Sequence, residues 1–359
     1  MTKQPFSMQS RFKGFEFQPE DFTKASAEEQ ENLKEKLSPG SYWKDAWRKL
    51  RGNVVAMCAC ILLLLITIFA LLGPICVPYH DAEQLRGAEG LGPMQYSASE
   101  INKMNAGEAV FPHIFGTDTH GRDLFVRTMQ ATRISVLIGV FAAMIVCIIG
   151  TLYGSVSGYL GGKVDFIMMR IVDIIYSLPD ILVVLLLSSI IKAPLQNFIN
   201  DSKNKFFSLI GGFGVGIISI FIVFALLFWV GTARIIRGQV LMLKSQEFVT
   251  AAKALGASSG RIIRKHIIPN CIGQIIVITM MQIPSAIFLE SFLSFLGLGV
   301  SAPHATLGSL IADSLSGMRM YPSRLLIPSV ILSVIILCFN LFGDGLRDAL
   351  DPRMKRESG

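Results

Sequence analysis

Residues 247–270 read EFVTAAKALGASSGRIIRKHIIPN, a short basic segment with a glycine near its middle and a proline near its end. Apolar runs flank it, Phe206 to Ala233 before and Cys271 to Val300 after, and the question is why basic helices should stand between them. A bilayer core takes about 20 apolar helical residues to cross, so each flanking run is long enough to span. Four further runs meet that length: Val54 to Tyr79, Ile134 to Leu160, Ile171 to Ile191 and Leu325 to Gly343. The sequence therefore predicts an all-α polytopic membrane protein with six transmembrane helices. Composition agrees, with 52% hydrophobic and 16% charged residues and a mean hydropathy of +0.53.

The first apolar run follows some fifty polar residues and is too long for a cleaved signal, so the first span is expected to stay in the mature chain. The six cysteines fall in or beside the spans and are expected to pack as small apolar groups, not as a disulfide framework. Placing both termini in the cytoplasm puts 23 of the 33 Lys and Arg residues on the cytoplasmic side, and cytoplasmic loops carry such an excess. This distribution accounts for the net charge of +7 without nucleic acid, because no aromatic-basic stacking surface or zinc-finger spacing accompanies it.

With that orientation the 247–269 loop is cytoplasmic. Phe248, Ala252 and Leu255 fall at i, i+4 and i+7, one expected stripe of a short helix with Ala252 at its centre and Lys253 off it. Gly256 permits a left-handed turn, Ser258 or Ser259 is placed to cap a second helix, and Pro269 suits the start of the next span. A basic amphipathic helix lying on anionic lipid is the bland alternative, but an alanine-rich face is a weak lipid anchor and a good surface for close helix docking.

The pattern Ala251, Ala252, Gly256 and Pro269 resembles the cytoplasmic loop through which permeases of ABC importers dock their ATPase subunits. The family's glutamate position is Thr250 here, with Glu247 one turn earlier. FGTDTHGRDLFVR (115–127), LESFLSFLGLGVSAP (289–303) and NLFGDGLRDALDPR (340–353) are similar to segments of the C-type permease subunits of oligopeptide and dipeptide ABC importers, and the resemblance covers roughly residues 41–353. It implies the type I ABC importer permease fold (MetI-like). It also implies a homologous permease as heterodimer partner, two ATPase subunits that bind ATP and Mg, an external peptide-binding protein and a bacterial cell membrane. Glu247, Phe248, Thr250, Ala251, Ala252, Leu255, Gly256 and Pro269 are then the ATPase-coupling residues. Non-peptide cargo such as nickel is the alternative within the class. A secondary transporter is the alternative outside it, and the six spans show no convincing inverted repeat.

The resulting organisation is a polar cytoplasmic extension at 1–40, an interfacial elbow helix at 41–53, a first span at 54–79 and an external loop at 80–133. The transmembrane domain follows at 134–346, with its coupling loop at 247–269, and a cytoplasmic tail ends the chain at 347–359. Charged groups inside spans are candidate functional sites. Asp180 follows Pro179, which is expected to kink its helix, and Glu290 with Ser294 either lines the translocation path or bonds to a neighbouring helix. Arg170 and Asp173 are spaced to pair at i, i+3. Asp118 and Asp123 read as turn and cap residues, because with His113 and His120 they fit no standard zinc spacing and no metal site is expected. GGKV at 161–164 is the nearest approach to a P-loop and has the wrong spacing and ending, so no ATP site and no enzymatic activity are expected in this chain.

Overall fold

The computed structural model describes residues 39–201, 214–300 and 304–350. The expected polar extension lies outside the described residues except for its last two positions, as does the tail beyond Leu350. Helix α1 (Pro39–Gly52) crosses the boundary between two units of the chain, Met1–Lys49 and Leu50–Gly359. It keeps Trp43 and Trp47 about half exposed, as an interfacial helix requires.

Among the described residues six helices are long and apolar enough to cross a membrane. They are α2 (Val54–Cys76), α4 (Leu124–Leu160), α6 (Asp180–Asp201), the pair α7 (Val215–Leu227) and α8 (Trp229–Lys244), α10 (Ile272–Phe295) and α12 (Pro322–Leu350). Shorter helices fill the connections: α3 (Ala98–Asn105), α5 (Gly162–Tyr176), α9 (Glu247–Ala254) and α11 (Leu307–Ser314).

Helix α4 is the centre of the bundle and packs along α8 and α10. Small residues bring it close to α8: a Cβ at Gly154 would stand 2.4 Å from the Ala233 carbonyl oxygen, and one at Gly150 2.6 Å from Thr232 Cβ. Lipid supplies no hydrophobic force between helices, so such close backbone approach is what drives their association. The main core joins Ile138, Ala142 and Val146 of α4 to Val223 and Phe224 of α7, Val230 of α8 and Leu289 and Leu293 of α10. The flanking helices α2 and α6 are mostly unburied and turn side chains such as Ile61, Leu65, Leu182 and Leu186 outward.

Several boundaries differ from the expected ones, and three of them bear on the loops and the tail. The third span starts at Asp180 instead of Ile171, because the residue before a proline is pushed out of the helical region and Pro179 separates α5 from α6. Helix α4 starts ten residues before Ile134, at Leu124, because Asp123 caps it and polar residues of its first turns find partners. The loop therefore closes at 123 instead of 133. Helix α12 runs on to Leu350, so Arg347 and Asp348, expected in the tail, lie within its last turn. All six cysteines are free thiols.

Candidate functional site

Helix α8 ends at Lys244, and Gln246 begins α9 with extended backbone angles and no side-chain cap. Glu247, in the first turn, favours the positive end of the helix dipole. At the other end Ala257 N–H bonds the Ala252 carbonyl at 3.0 Å and Gly256 N–H bonds the Lys253 carbonyl at 2.9 Å. This pair of bonds is a Schellman closure, and it needs a left-handed residue, which Gly256 supplies at φ +76°. Ser258 then opens the turn Ser259–Ile262, followed by a π-turn, Ile263–Ile267, and a last turn, Ile268–Asn270, containing Pro269.

The segment is packed as part of the bundle. Val249, Ala252, Ile262 and Ile267 form one buried cluster with Tyr159 at the end of α4, Ile236 and Val240 of α8, and Ile275 and Ile278 of α10. Ala252 is 9% exposed and faces this interior, whereas Leu255 is 87% exposed. The expected stripe with Ala252 at its outward centre is therefore corrected. The larger aliphatic Val249, one turn away at i−3, fixes which face turns in, and α9 ends at Ala254, so Leu255 lies past the last helical turn. The outward surface is made by Glu247, Phe248, Thr250, Ala251, Leu255 and Gly256, with Arg261, Arg264, Lys265 and Pro269 exposed beyond. Lys253 is exposed, but its Nζ lies 5.3 Å from the Tyr159 ring centroid.

Glu290 is completely buried. It accepts hydrogen bonds from Ser294 Oγ at 2.7 Å, Ser135 Oγ of α4 at 3.1 Å and Ser291 Oγ at 3.3 Å. Ser294 Oγ in turn accepts from Val300 N–H at 3.2 Å, and Ser135 Oγ accepts from Leu307 N–H of α11 at 3.1 Å. The carboxylate thus joins α4, α10 and α11 and opens onto no surface of this chain. Of its two expected roles, lining the path or bonding to a neighbouring helix, this geometry favours the second, because each of its oxygens is already engaged by hydroxyls. Ser294 also borders a cavity of about 650 Å3. Asp180 lies elsewhere, exposed in the first turn of α6 beside a second cavity of about 350 Å3 lined by Phe228, Ser285, Phe288 and Asn340.

The other end of the bundle is held by charge. His113, fully buried, stacks on Tyr79 with ring centroids 4.6 Å apart, and its Nδ1 bonds Asp123 Oδ2 at 2.7 Å. Its Nε2 stands 3.2 Å from Glu100 Oε1, an ion-pair distance without hydrogen-bond alignment. Burial opposes a charge on the imidazole, but the Asp123 hydrogen bond and the two carboxylate charges outweigh it and raise its pKa. Asp118 accepts from the backbone N–H groups of His120 and Arg122 and from the side chains of Arg122 and Arg127. Burial opposes its ionisation, yet these donors hold its carboxyl below the usual range. Asp123 caps α4 through Val126 N–H at 2.9 Å, as its position in the sequence implies. Among the described residues no group of three or more His, Cys, Asp or Glu is disposed to hold a metal.

Some partners have no local signal. Asp165 takes a two-pronged bond from Arg237 of α8 at 2.5 Å, and Asp173, besides its expected i, i+3 ion pair with Arg170 at 4.0 Å, is bonded more closely by Arg234 at 2.7 Å.

Six spans and an inter-span loop packed into the bundle define a polytopic membrane protein, and comparison with known proteins gives its family. Residues 150–356 match the binding-protein-dependent transport system inner membrane component family, to which the chain belongs. Residues 41–93 match the N-terminal TM domain of oligopeptide transport permease C. The oligopeptide transport system permease protein OppC of Bacillus subtilis is 40% identical over 317 residues, 88% of this chain and 91% of that protein. The dipeptide transport system permease protein DppC of the same organism is 41% identical over 317 residues, 88% and 87% of the two chains. The OppC of Escherichia coli K12 is 40% identical over 335 residues, covering 92% and 98%.

Proposed function

We propose that this chain is one permease subunit of an ATP-driven peptide importer. It would pair with a homologous permease, two ATPase subunits that bind ATP and Mg, and a peptide-binding protein on the far side of the membrane. The oligopeptide and dipeptide transport names of relatives at about 40% identity over most of the chain support the cargo class. Basic-residue distribution supports cytoplasmic termini and a cytoplasmic 247–270 segment.

One observation carries the mechanism: Phe248, Ala251 and Leu255 are presented outward by a short helix whose inner side is built into α4, α8 and α10. A partner that grips the outer side moves the inner side with it, because close-packed cores shift between discrete arrangements and do not stretch. ATP binding would draw the two ATPases together, α9 would carry that motion into the spans, and hydrolysis would reset the inward-open state. Ser294 and Asp180, each at the wall of a cavity, are the candidate path residues.

The test is Leu255→Arg in the assembled complex. Leu255 touches little of its own chain, so insertion and thermal stability are expected to match the wild type while ATPase co-purification falls by about tenfold or more, the loss of an interface anchor. Undiminished association and peptide uptake would make the segment a lipid-surface helix.

A further inference from the structure

At the end of the bundle opposite α9, the cavity of about 650 Å3 opens between the 118–127 segment, α11 and the start of α12. Its volume is in the range that holds a small ligand or the end of a peptide. Three guanidinium groups, Arg122, Arg127 and Arg324, and two carboxylates, Asp118 and Asp313, line it. Asp118 is fully engaged by Arg122, Arg127 and two backbone N–H groups. Asp313 is mostly exposed and comes no nearer to Arg127 than 4.0 Å.

Arg324 differs from the other two arginines. It is 4% exposed, and its guanidinium carbon sits 3.9 Å from the Tyr321 ring centroid. Among the described residues its Nε and Nη2 have no hydrogen-bond acceptor. Asp118 acts on it only as a charge through space. A buried guanidinium with unmet N–H groups is costly to keep, its planar fork matches a carboxylate, and the side chain borders the cavity although Nε and Nη2 are themselves enclosed. Three positive against two negative side chains leave one positive charge over, which a single bound carboxylate neutralises.

We infer that Arg324 receives the C-terminal carboxylate of the peptide cargo. The inference rests on the peptide-importer reading and adds to it a subsite and a chemical requirement, a free carboxylate. A ligand seated there stands beside Ser294, and so beside the Glu290 joint between α4, α10 and α11.

The experiment uses the whole transporter in proteoliposomes with its binding protein, and one peptide in two forms, free acid and C-terminal amide. Each form is supplied at a concentration that saturates the binding protein, checked separately by titration. Arg324→Gln is expected to lower uptake of the acid roughly tenfold relative to the amide, the worth of a charged hydrogen bond, and Arg324→Lys to recover part of it. Asp313→Asn, at an exposed position, is expected to move the ratio the other way by about twofold, since it removes a repelling charge. An equal loss for both forms, or an unchanged ratio in the variants, overturns the inference. Weaker docking of unloaded binding protein to the Arg324→Gln complex assigns the carboxylate to that protein and also overturns it. If Arg324→Gln does not assemble, the direction of the Asp313→Asn shift decides. Failure of the wild type to import either form would instead defeat the peptide-importer reading itself.

Discussion

At the 247–270 end, Val249, Ala252, Ile262 and Ile267 lock α9 to the bundle through apolar contact, whereas at the 77–123 end His113, Asp118, Asp123 and Arg127 lock the chain through buried charge. The two solutions respond to different insults. Apolar packing is indifferent to pH and salt and sensitive to volume; a buried ion network tolerates little loss of a partner and responds to protons. A segment that must pass on motion is better served by the first, and one that must hold a fixed shape by the second.

The largest effect should come from breaking the charged end. Asp118→Asn leaves Arg122 and Arg127 without their shared carboxylate, and loss of one partner in a buried network costs about 3–5 kcal/mol. A lower melting midpoint in detergent, with rapid proteolysis near residue 118, is the expected outcome, and an unchanged midpoint would show that water replaces the carboxylate.

At the apolar end, Ala252→Arg pushes bulk and charge into the cluster around Tyr159. About 3 kcal/mol of destabilisation is expected from overpacking and desolvation together, with loss of ATPase association as its consequence. Leu255→Arg differs in stability alone: there association falls while the fold holds. Equal melting midpoints for the two variants would erase the inner and outer faces assigned to α9.

The smallest effect is the most diagnostic. A histidine whose pKa is raised in the fold contributes stability that is complete below its ordinary 6.5 and lost as pH rises through the higher folded value. Glu100 and Asp118 are lowered, so their contributions are present above the ordinary carboxylate range and fade only as pH falls through the folded values. Between about pH 6 and pH 9 the melting midpoint should decline in the wild type and stay flat in His113→Gln. A wild-type midpoint that does not change over this range would mean that folding leaves His113 at its ordinary pKa, and one that rises would mean that burial wins and keeps the imidazole neutral.

How much of this was legible in the sequence follows the range of each interaction. Six spans were readable because about 20 consecutive apolar residues are a local signal, and Gly256 and Asp123 marked a turn and a cap within three or four residues of their effect. The start of α4 at Leu124 was not, since Arg127 is accepted there only because Asp118 folds back on it. The pairings of Asp165 with Arg237 and of Asp173 with Arg234 join residues 72 and 61 apart, and no periodicity encodes them. Ala252 was placed on the wrong face because helical spacing says which residues share a side and not which side turns inward. Glu290 was recognised as exceptional, but only the fold shows that three serines surround it.

The length of α4 carries one more consequence. Its 37 residues make a rod about 55 Å long at 1.5 Å per residue, well beyond a hydrocarbon layer of roughly 30 Å. Such a rod stands proud of the bilayer at one face or both, with Tyr159 near one tip in the α9 cluster and Arg127 near the other in the charged network. If the ion network pins the second tip, a tilt of about 5° swings the first through roughly 5 Å, close to one helical turn. The helix then acts as a lever with its fulcrum outside the membrane, and the stiffness of the 77–123 end sets how much of a push at α9 becomes movement among the spans.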